Sequence, residues 1–525
     1  MLFGYMPLAS RSVGRGSQYD RHCVRVTPRF PRVLYSNHRQ IEYYPESRVK
    51  SNMGRSILAV LALVSLVQGQ RETCLSVDED PYLLFGLKTA YLFANKGIPA
   101  VRTHDVPGCQ PMALWLLNRH GSHNPEADEI SDLQKLTDFK NNILDNYRSR
   151  NNIRDERICQ SDVNLLSRWE WNPRHNATFA GDLTSDGYIT TQQLAQAWRQ
   201  KFPGLLTNNR HDYLFKFVNN ERLKTSFRAF TEGLFRAQAE ELDIVKQTDE
   251  KLLMPYKSCS AWINDVEKNN ETYYQQFIFE SKREYREMIS NISQRLGFSW
   301  DIHEDIIRRI YNMCRYNKAW DVTQISPWCA AFTREDLKRL EYAEDLNTYY
   351  KYGYGTPINQ QIGCTLVKDM MDFLTNHVER EPPQQPRTVI HFTEAPTILM
   401  TLAALGTHRD SAPLTGDNYH TNTAQSRKWA TSSMLPYNAN LAAVLYKCTP
   451  NGNFQYNDRY QVLFLENEKT MYLDGCKVGL CDWSYVKSRF GEVADKCNLD
   501  VCNGGNRNSY LGVAVILAVV TRYLL

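Results

Sequence analysis

An α/β fold with a central, mostly parallel sheet flanked by helices and carrying a discontinuous helical cap lobe follows from three features of this sequence. Short apolar runs of strand length alternate with helical periodicities. The first clear run ends in a charged turn, Arg119-His120-Gly121, at the place where open α/β sheets gather ligands. Long stretches rich in Asn, Glu, Arg and Tyr interrupt the alternation with helical spacing and few strand signals.

Residues 1–52 carry nine Lys or Arg against three Asp or Glu and little periodicity, and read as a basic leader outside the mature protein. Residues 53–69 follow, with Arg55 before an eleven-residue apolar core, ILAVLALVSLV, and a small residue at Gly69. That layout predicts a secretory signal peptide, too short to span a bilayer comfortably. At the far end, 503–525 place Asn503-Gly504-Gly505 ahead of the apolar tail LGVAVILAVVTRYLL, the pattern of a glycosylphosphatidylinositol attachment signal. These segments predict a protein of the secretory pathway, extracellular or at the cell surface and tied to the membrane through a lipid anchor.

The body spans 70–502. Its α/β core is expected at about 70–130, 183–240 and 386–500, and its helical cap at about 131–182 and 241–385. The apolar run Met112–Leu117 predicts a buried strand. Gly187–Lys201 suits a helix that ends before Phe202-Pro203. Tyr213–Val218 predicts the second strand, with a helix from about Thr225 to Gln238 after it. Ile358, Ile362, Leu366, Met370, Leu374 and Val378 recur every four residues and mark one apolar helix face. The Pro-rich run 381–386 marks the return to the sheet. Val389–Phe392, Leu441–Tyr446 and Tyr460–Leu465 complete the expected strands.

Of thirteen cysteines only Cys23 lies in the leader. The even remainder, behind a signal peptide, predicts disulfides, with pairing open. Cys476-x4-Cys481 with Cys497-x4-Cys502 could alternatively form a zinc ribbon. Asn176, Asn270 and Asn291 stand in N-glycosylation sequons. Without its ends the chain is mildly acidic, which argues against general nucleic-acid binding.

The chemistry sits in Met112–Pro125, MALWLLNRHGSHNP. A histidine beside a fixed guanidinium suits phosphoryl transfer: the imidazole attacks phosphorus and the arginine neutralises the phosphate. Arg222, at the end of the second strand and beside a helix start, is a second candidate clamp.

Together with RHGSHNP, the segments KFPGLL, Ser326-Pro327-Trp328-Cys329, YKYGYGTPINQQIGCTLVKDM and Leu465-Glu466-Asn467-Glu468 resemble the histidine phosphatase superfamily in its acid phosphatase and phytase branch. Within it the likeness is to the multiple inositol polyphosphate phosphatases and covers most of 74–502. The resemblance implies an α/β domain with a helical cap. It implies a phosphoric monoester hydrolase acting on inositol polyphosphates or 2,3-bisphosphoglycerate. It makes His120 the nucleophile and Arg119 and Arg222 phosphate ligands, with no metal or organic cofactor.

Two positions depart from the family pattern. The signature R-H-G-x-R-x-P has its second Arg replaced by His123, a part-time clamp when protonated. The family's His-Ala-Glu acid motif aligns with Glu394-Ala395-Pro396. Proline has no proton to give, and losing a general acid typically costs ~10²–10⁴-fold in rate. Glu394 is the substitute acid, with His391 an outside candidate. On this reading, activity favours acid, where His123 and Glu394 are protonated. The alternative is a catalytically impaired relative that binds its ligand without turnover.

Overall fold

The computed structural model describes residues 74–76, 80–95, 104–149, 158–236, 239, 245–380, 386–449 and 456–503. The predicted leader, signal peptide and nearly all of the lipid-anchor signal lie outside the described residues.

Eight strands form one sheet: β1 (Cys109–Arg119), β2 (Tyr213–Phe217), β3 (Lys246–Thr248), β4 (Thr388–Thr393), β5 (Asn440–Cys448), β6 (Tyr460–Glu466), β7 (Lys469–Thr470) and β8 (Leu480–Asp482). Their order is β3-β2-β4-β1-β5-β6-β7, with β8 also on β6. β3, β2, β4 and β1 run parallel; β5 through β8 add antiparallel pairs. The continuous apolar run of β1 is explained by its position, since β4 flanks it on one side and β5 on the other. Met112 through Arg119 are all buried.

Successive strand residues face opposite sides of a sheet, which fixes the layers. Phe392 packs on Phe227 and Phe230 of the helix Glu221–Phe235. The preceding residue, His391, meets Asp369 of the helix Ile358–Glu379 at 3.0 Å. Helices therefore cover both faces. The helix Ile358–Glu379, inside the stretch 241–385 expected to form the cap, lies on the sheet. Its Asp369 also accepts from Trp115 Nε1 at 2.8 Å and from Lys216 Nζ at 2.6 Å, so one carboxylate pins β1, β2 and β4 together.

The helix Glu221–Phe235 begins four residues before the expected Thr225, because Asn220 caps it by accepting from the Leu223 amide. The helix Ser185–Lys201 is capped by Thr184. The remaining helices, among them Leu136–Ser149, Arg283–Arg295, Glu304–Trp320 and Arg334–Tyr352, gather between the strand-bearing segments. No described helix is long and apolar enough to cross a membrane.

All twelve remaining cysteines pair: Cys74–Cys159, Cys109–Cys448, Cys259–Cys502, Cys314–Cys329, Cys364–Cys497 and Cys476–Cys481. The zinc-ribbon alternative falls, since Cys497 and Cys502 bond to different distant partners. Asn270 and Asn291 are exposed and Asn176 half-buried.

Burial alone would raise the Asp369 carboxyl, but His391 and Lys216 outweigh it and hold it well below the usual carboxylate range. The stabilisation is therefore present above the unfolded pKa of about 4 and is lost as pH falls through the lower folded value. Asp369→Asn keeps the shape and removes the charge. It should cost ~3–5 kcal/mol, read as a lower urea midpoint at pH 7; an unchanged midpoint would show that the pin is dispensable.

Candidate active site

The nucleophile loop leaves the C-terminal end of β1 and is held by backbone on every side. His120 N–H donates to Thr393 O at 3.3 Å, and the Asn438 amide donates to His120 O at 3.0 Å. Gly121 N–H donates to Ser226 Oγ at 3.3 Å. The loop then presses on the helix Ser185–Lys201. A Cβ built on Gly187 would stand 2.2 Å from Ser122 O, and one on Gly121 would stand 2.7 Å from Gly187 O. Only glycine fits either position.

Arg119 and His120 are 5% and 3% exposed. Arg119 Nη1 donates to Leu87 O at 2.7 Å and to Leu435 O at 2.6 Å, and its guanidinium lies 4.7 Å from the Tyr437 ring centre. Burial pulls its pKa down to about 10, so it stays charged at neutral pH. His120 Nδ1 lies 2.9 Å from Gly121 O and donates to it. The neutral ring then carries its lone pair on Nε2, the form a nucleophile needs. Burial first, and the positive Arg222 second, push His120 well below 6.5.

Arg222 stands in the first turn of its helix. Its Nε donates to Gly181 O at 2.9 Å and its Nη2 pairs with Glu126. Its positive charge depresses both His120 and His123. His123, half-buried, donates from Nδ1 to Asn124 O at 2.6 Å, and its ring centre lies 5.0 Å from that of His120. Burial and then Arg222 hold it well below 6.5. That direction opposes the protonated form on which its expected part as a clamp depends.

Glu394 is the N-cap of the helix Ala395–Ala404, immediately after Thr393, which is in register with Arg119. Asn220 donates to it at 3.2 Å and Tyr256 at 3.3 Å, while Lys257 Nζ lies 3.7 Å away. Pro396 occupies the helix's first turn, where a proline is readily accommodated. His391 is excluded as an acid. It is fully buried, its Nδ1 on Leu116 O at 3.1 Å and its Nε2 on Asp369.

Sequence reasoning missed several neighbours. Tyr437 packs on Arg119 and His123, and Asn438 sits at φ 58°. Asn124 Oδ1 accepts from His175 Nδ1 at 2.7 Å, and His175 stacks on Trp320 with ring centres 3.7 Å apart. A cavity of about 840 Å³ opens here, bordering the nucleophile loop through Asn124 and Thr184. Asn124 lay inside the quoted motif, whereas the others come from segments far along the chain with no local signature.

A profile of the histidine phosphatase superfamily (branch 2) matches residues 113–467. The chain is 35% identical over 478 residues to multiple inositol polyphosphate phosphatase 1 of Drosophila melanogaster, covering 89% of this chain and 98% of that one. Its human counterpart is 27% identical, over 87% and 95% of the two chains. Among solved structures, the phytase from D. castellii superposes with a TM-score of 0.61 at 18% identity, covering 85% of this chain and 92% of that one. The Bifidobacterium longum multiple inositol polyphosphate phosphatase with inositol hexasulfate gives 0.54 at 13%, over 75% and 94%.

Two outcomes follow from this geometry. Gly187→Ala should destabilise the protein by ~1–3 kcal/mol and displace the loop; Gly204→Ala, whose Cβ meets nothing within 4 Å, is the control. Equal urea midpoints would refute the contact. Burial lowers His175 to about 4. Its unfolded form takes a proton near 6.5 while the folded form does not, so its stabilisation is lost as pH falls from about 6.5 toward 4. The drop in Tm between pH 7 and pH 5 should therefore be smaller in His175→Asn than in the wild type, and equal drops would overturn this.

Proposed function

The chain belongs to the histidine phosphatase superfamily (branch 2), and on that premise we propose that it hydrolyses phosphomonoesters of inositol polyphosphates through a phosphohistidine. The observation that carries the reading is the setting of His120: buried, pushed toward the neutral form, its Nδ1 proton spent on Gly121 O, directly after Arg119 and in the field of Arg222. Nε2 attacks phosphorus and the P–O ester bond breaks, its electron pair leaving with the inositol oxygen. Arg119 and Arg222 neutralise the phosphoryl oxygens. Arg222 releases Glu126 to do so. Water then attacks the phosphohistidine, freeing phosphate and returning His120. The substrate class comes from the names of the relatives.

Glu394 is the group we assign to protonate the leaving oxygen, two residues before the position that Pro396 fills. The shift implies slow turnover on alkoxide leaving groups. A second reading, a ligand-binding relative without turnover, is favoured by the same Pro396 and by His123 in place of the signature's second arginine. Six disulfides, the sequons and the predicted signal peptide support a secreted or surface-anchored glycoprotein.

Phosphate release from inositol hexakisphosphate and from p-nitrophenyl phosphate, at pH 5 and pH 7, tests this with His120→Ala as control. Release should fall to background in the variant. The p-nitrophenyl ester, whose leaving group needs little protonation, should react faster by ~10²-fold or more. Wild-type release no greater than that of His120→Ala would replace the first reading with the second, and turnover that survives the substitution would rule out His120 as the nucleophile.

A further inference from the structure

The pocket around His120 lacks a charge at one position. His123 stands where the superfamily signature has an arginine, and its Nδ1–H is committed to Asn124 O. A phosphate dianion held here by Arg119 and Arg222 therefore has one guanidinium fork fewer than the signature provides. A cation unused so far, Lys88, follows directly on a residue that holds Arg119.

Lys88 closes the short helical turn Gly86–Lys88. The carbonyl just before it, Leu87 O, is one of the two that hold the Arg119 guanidinium, so the lysine stem starts beside that clamp. Its Nζ lies 5.0 Å from the Tyr316 ring centre. Its ion pair with Glu129 spans 3.9 Å, beyond hydrogen-bond reach, and Glu129 already accepts from Tyr316 OH at 2.7 Å. An ammonium has three donors to satisfy, and this one keeps only 21% of its side chain exposed. Arg315 adds like charge nearby. Burial and then Arg315 push the Lys88 ammonium below its usual range, and the Lys88 charge in turn reaches His123. Three cations here, Lys88, Arg119 and Arg315, face two carboxylates, Glu129 and Glu344, the second already paired with Arg315; an anion would balance the excess.

We propose that Lys88 contacts the bound phosphoryl group and supplies the positive charge that His123 does not. The proposal rests on the pocket around His120 being a phosphate site. It makes Lys88 an anion-contacting residue reached from a segment 31 positions before Arg119.

Calorimetric titration of the whole protein with inorganic phosphate tests it, in wild type, Lys88→Met, Lys88→Gln and Lys88→Arg. Loss of one charge-assisted contact should weaken phosphate ~10–100-fold in the Met and Gln variants, with Lys88→Arg within ~5-fold of wild type. The double variant Lys88→Met/His123→Arg should recover most of the loss, which a purely structural lysine would not allow. Unchanged phosphate affinity in both neutral variants, with Tm preserved, overturns the assignment and leaves the proposed reaction standing. Failure of the double variant to recover also overturns it. Phosphate binding that depends on Lys88 in a protein without turnover upholds the assignment while the hydrolytic reading fails. A wild type that binds no phosphate removes both.

Discussion

The buried guanidinium of Arg119 is the constraint on which the rest of the site depends. A cation at the end of a strand buried on both faces persists only if acceptors are brought to it. The carbonyls of Leu87 and Leu435 do this, and they come from segments hundreds of residues apart. Each segment must itself be held. Asn467 Nδ2 donates to Ser433 O and Met434 O, and Asn467 also bonds β5 through Asn440. Lys201 donates to Glu468 O, joining the helix behind the nucleophile loop to the same knot. The Leu465-Glu466-Asn467-Glu468 segment thus acts at a distance, by fixing the turn that fixes Arg119.

Electrostatics gives the site its character. Burial and Arg222 push both pocket histidines toward the neutral form, which suits the nucleophile's part proposed for His120 and opposes a cationic clamp at His123. The same field thereby serves one step of the chemistry and weakens another. Glu394 brings a carboxyl group that Asn220, Tyr256 and Lys257 surround. The departures from the family pattern are in this sense accommodated by their surroundings, with Pro396 turned into an ordinary helix start.

Much of this was legible in the sequence where the signal is local. β1, β2, β4, β5 and β6 are buried strands with continuous or alternating apolar residues, and the four-residue apolar repeat marked the helix Ile358–Glu379 to within a residue. The very short β3, β7 and β8 carry no burial pattern and escaped. Arg119, His120, His123, Arg222 and Glu394 were visible because each follows a strand. Lys88, His175 and Tyr437 were not, because what makes them neighbours is the fold rather than spacing. The downward push on His123 was hidden for the same reason: its reference pKa is local, but Arg222 is about a hundred residues away. Disulfide pairing was closed to sequence reasoning altogether.

The packing of Gly121 and Ser122 against Gly187 has a consequence for how the protein matures. The contact joins segments 66 residues apart, backbone to backbone, with no side chain to search out an approximate fit. Closing so wide a loop is entropically costly and comes after local structure has formed. The turn that carries His120 therefore takes its native shape only when the helix Ser185–Lys201 has docked. A half-folded chain in which that helix is not yet in place carries the Arg-His-Gly motif without the geometry that holds it.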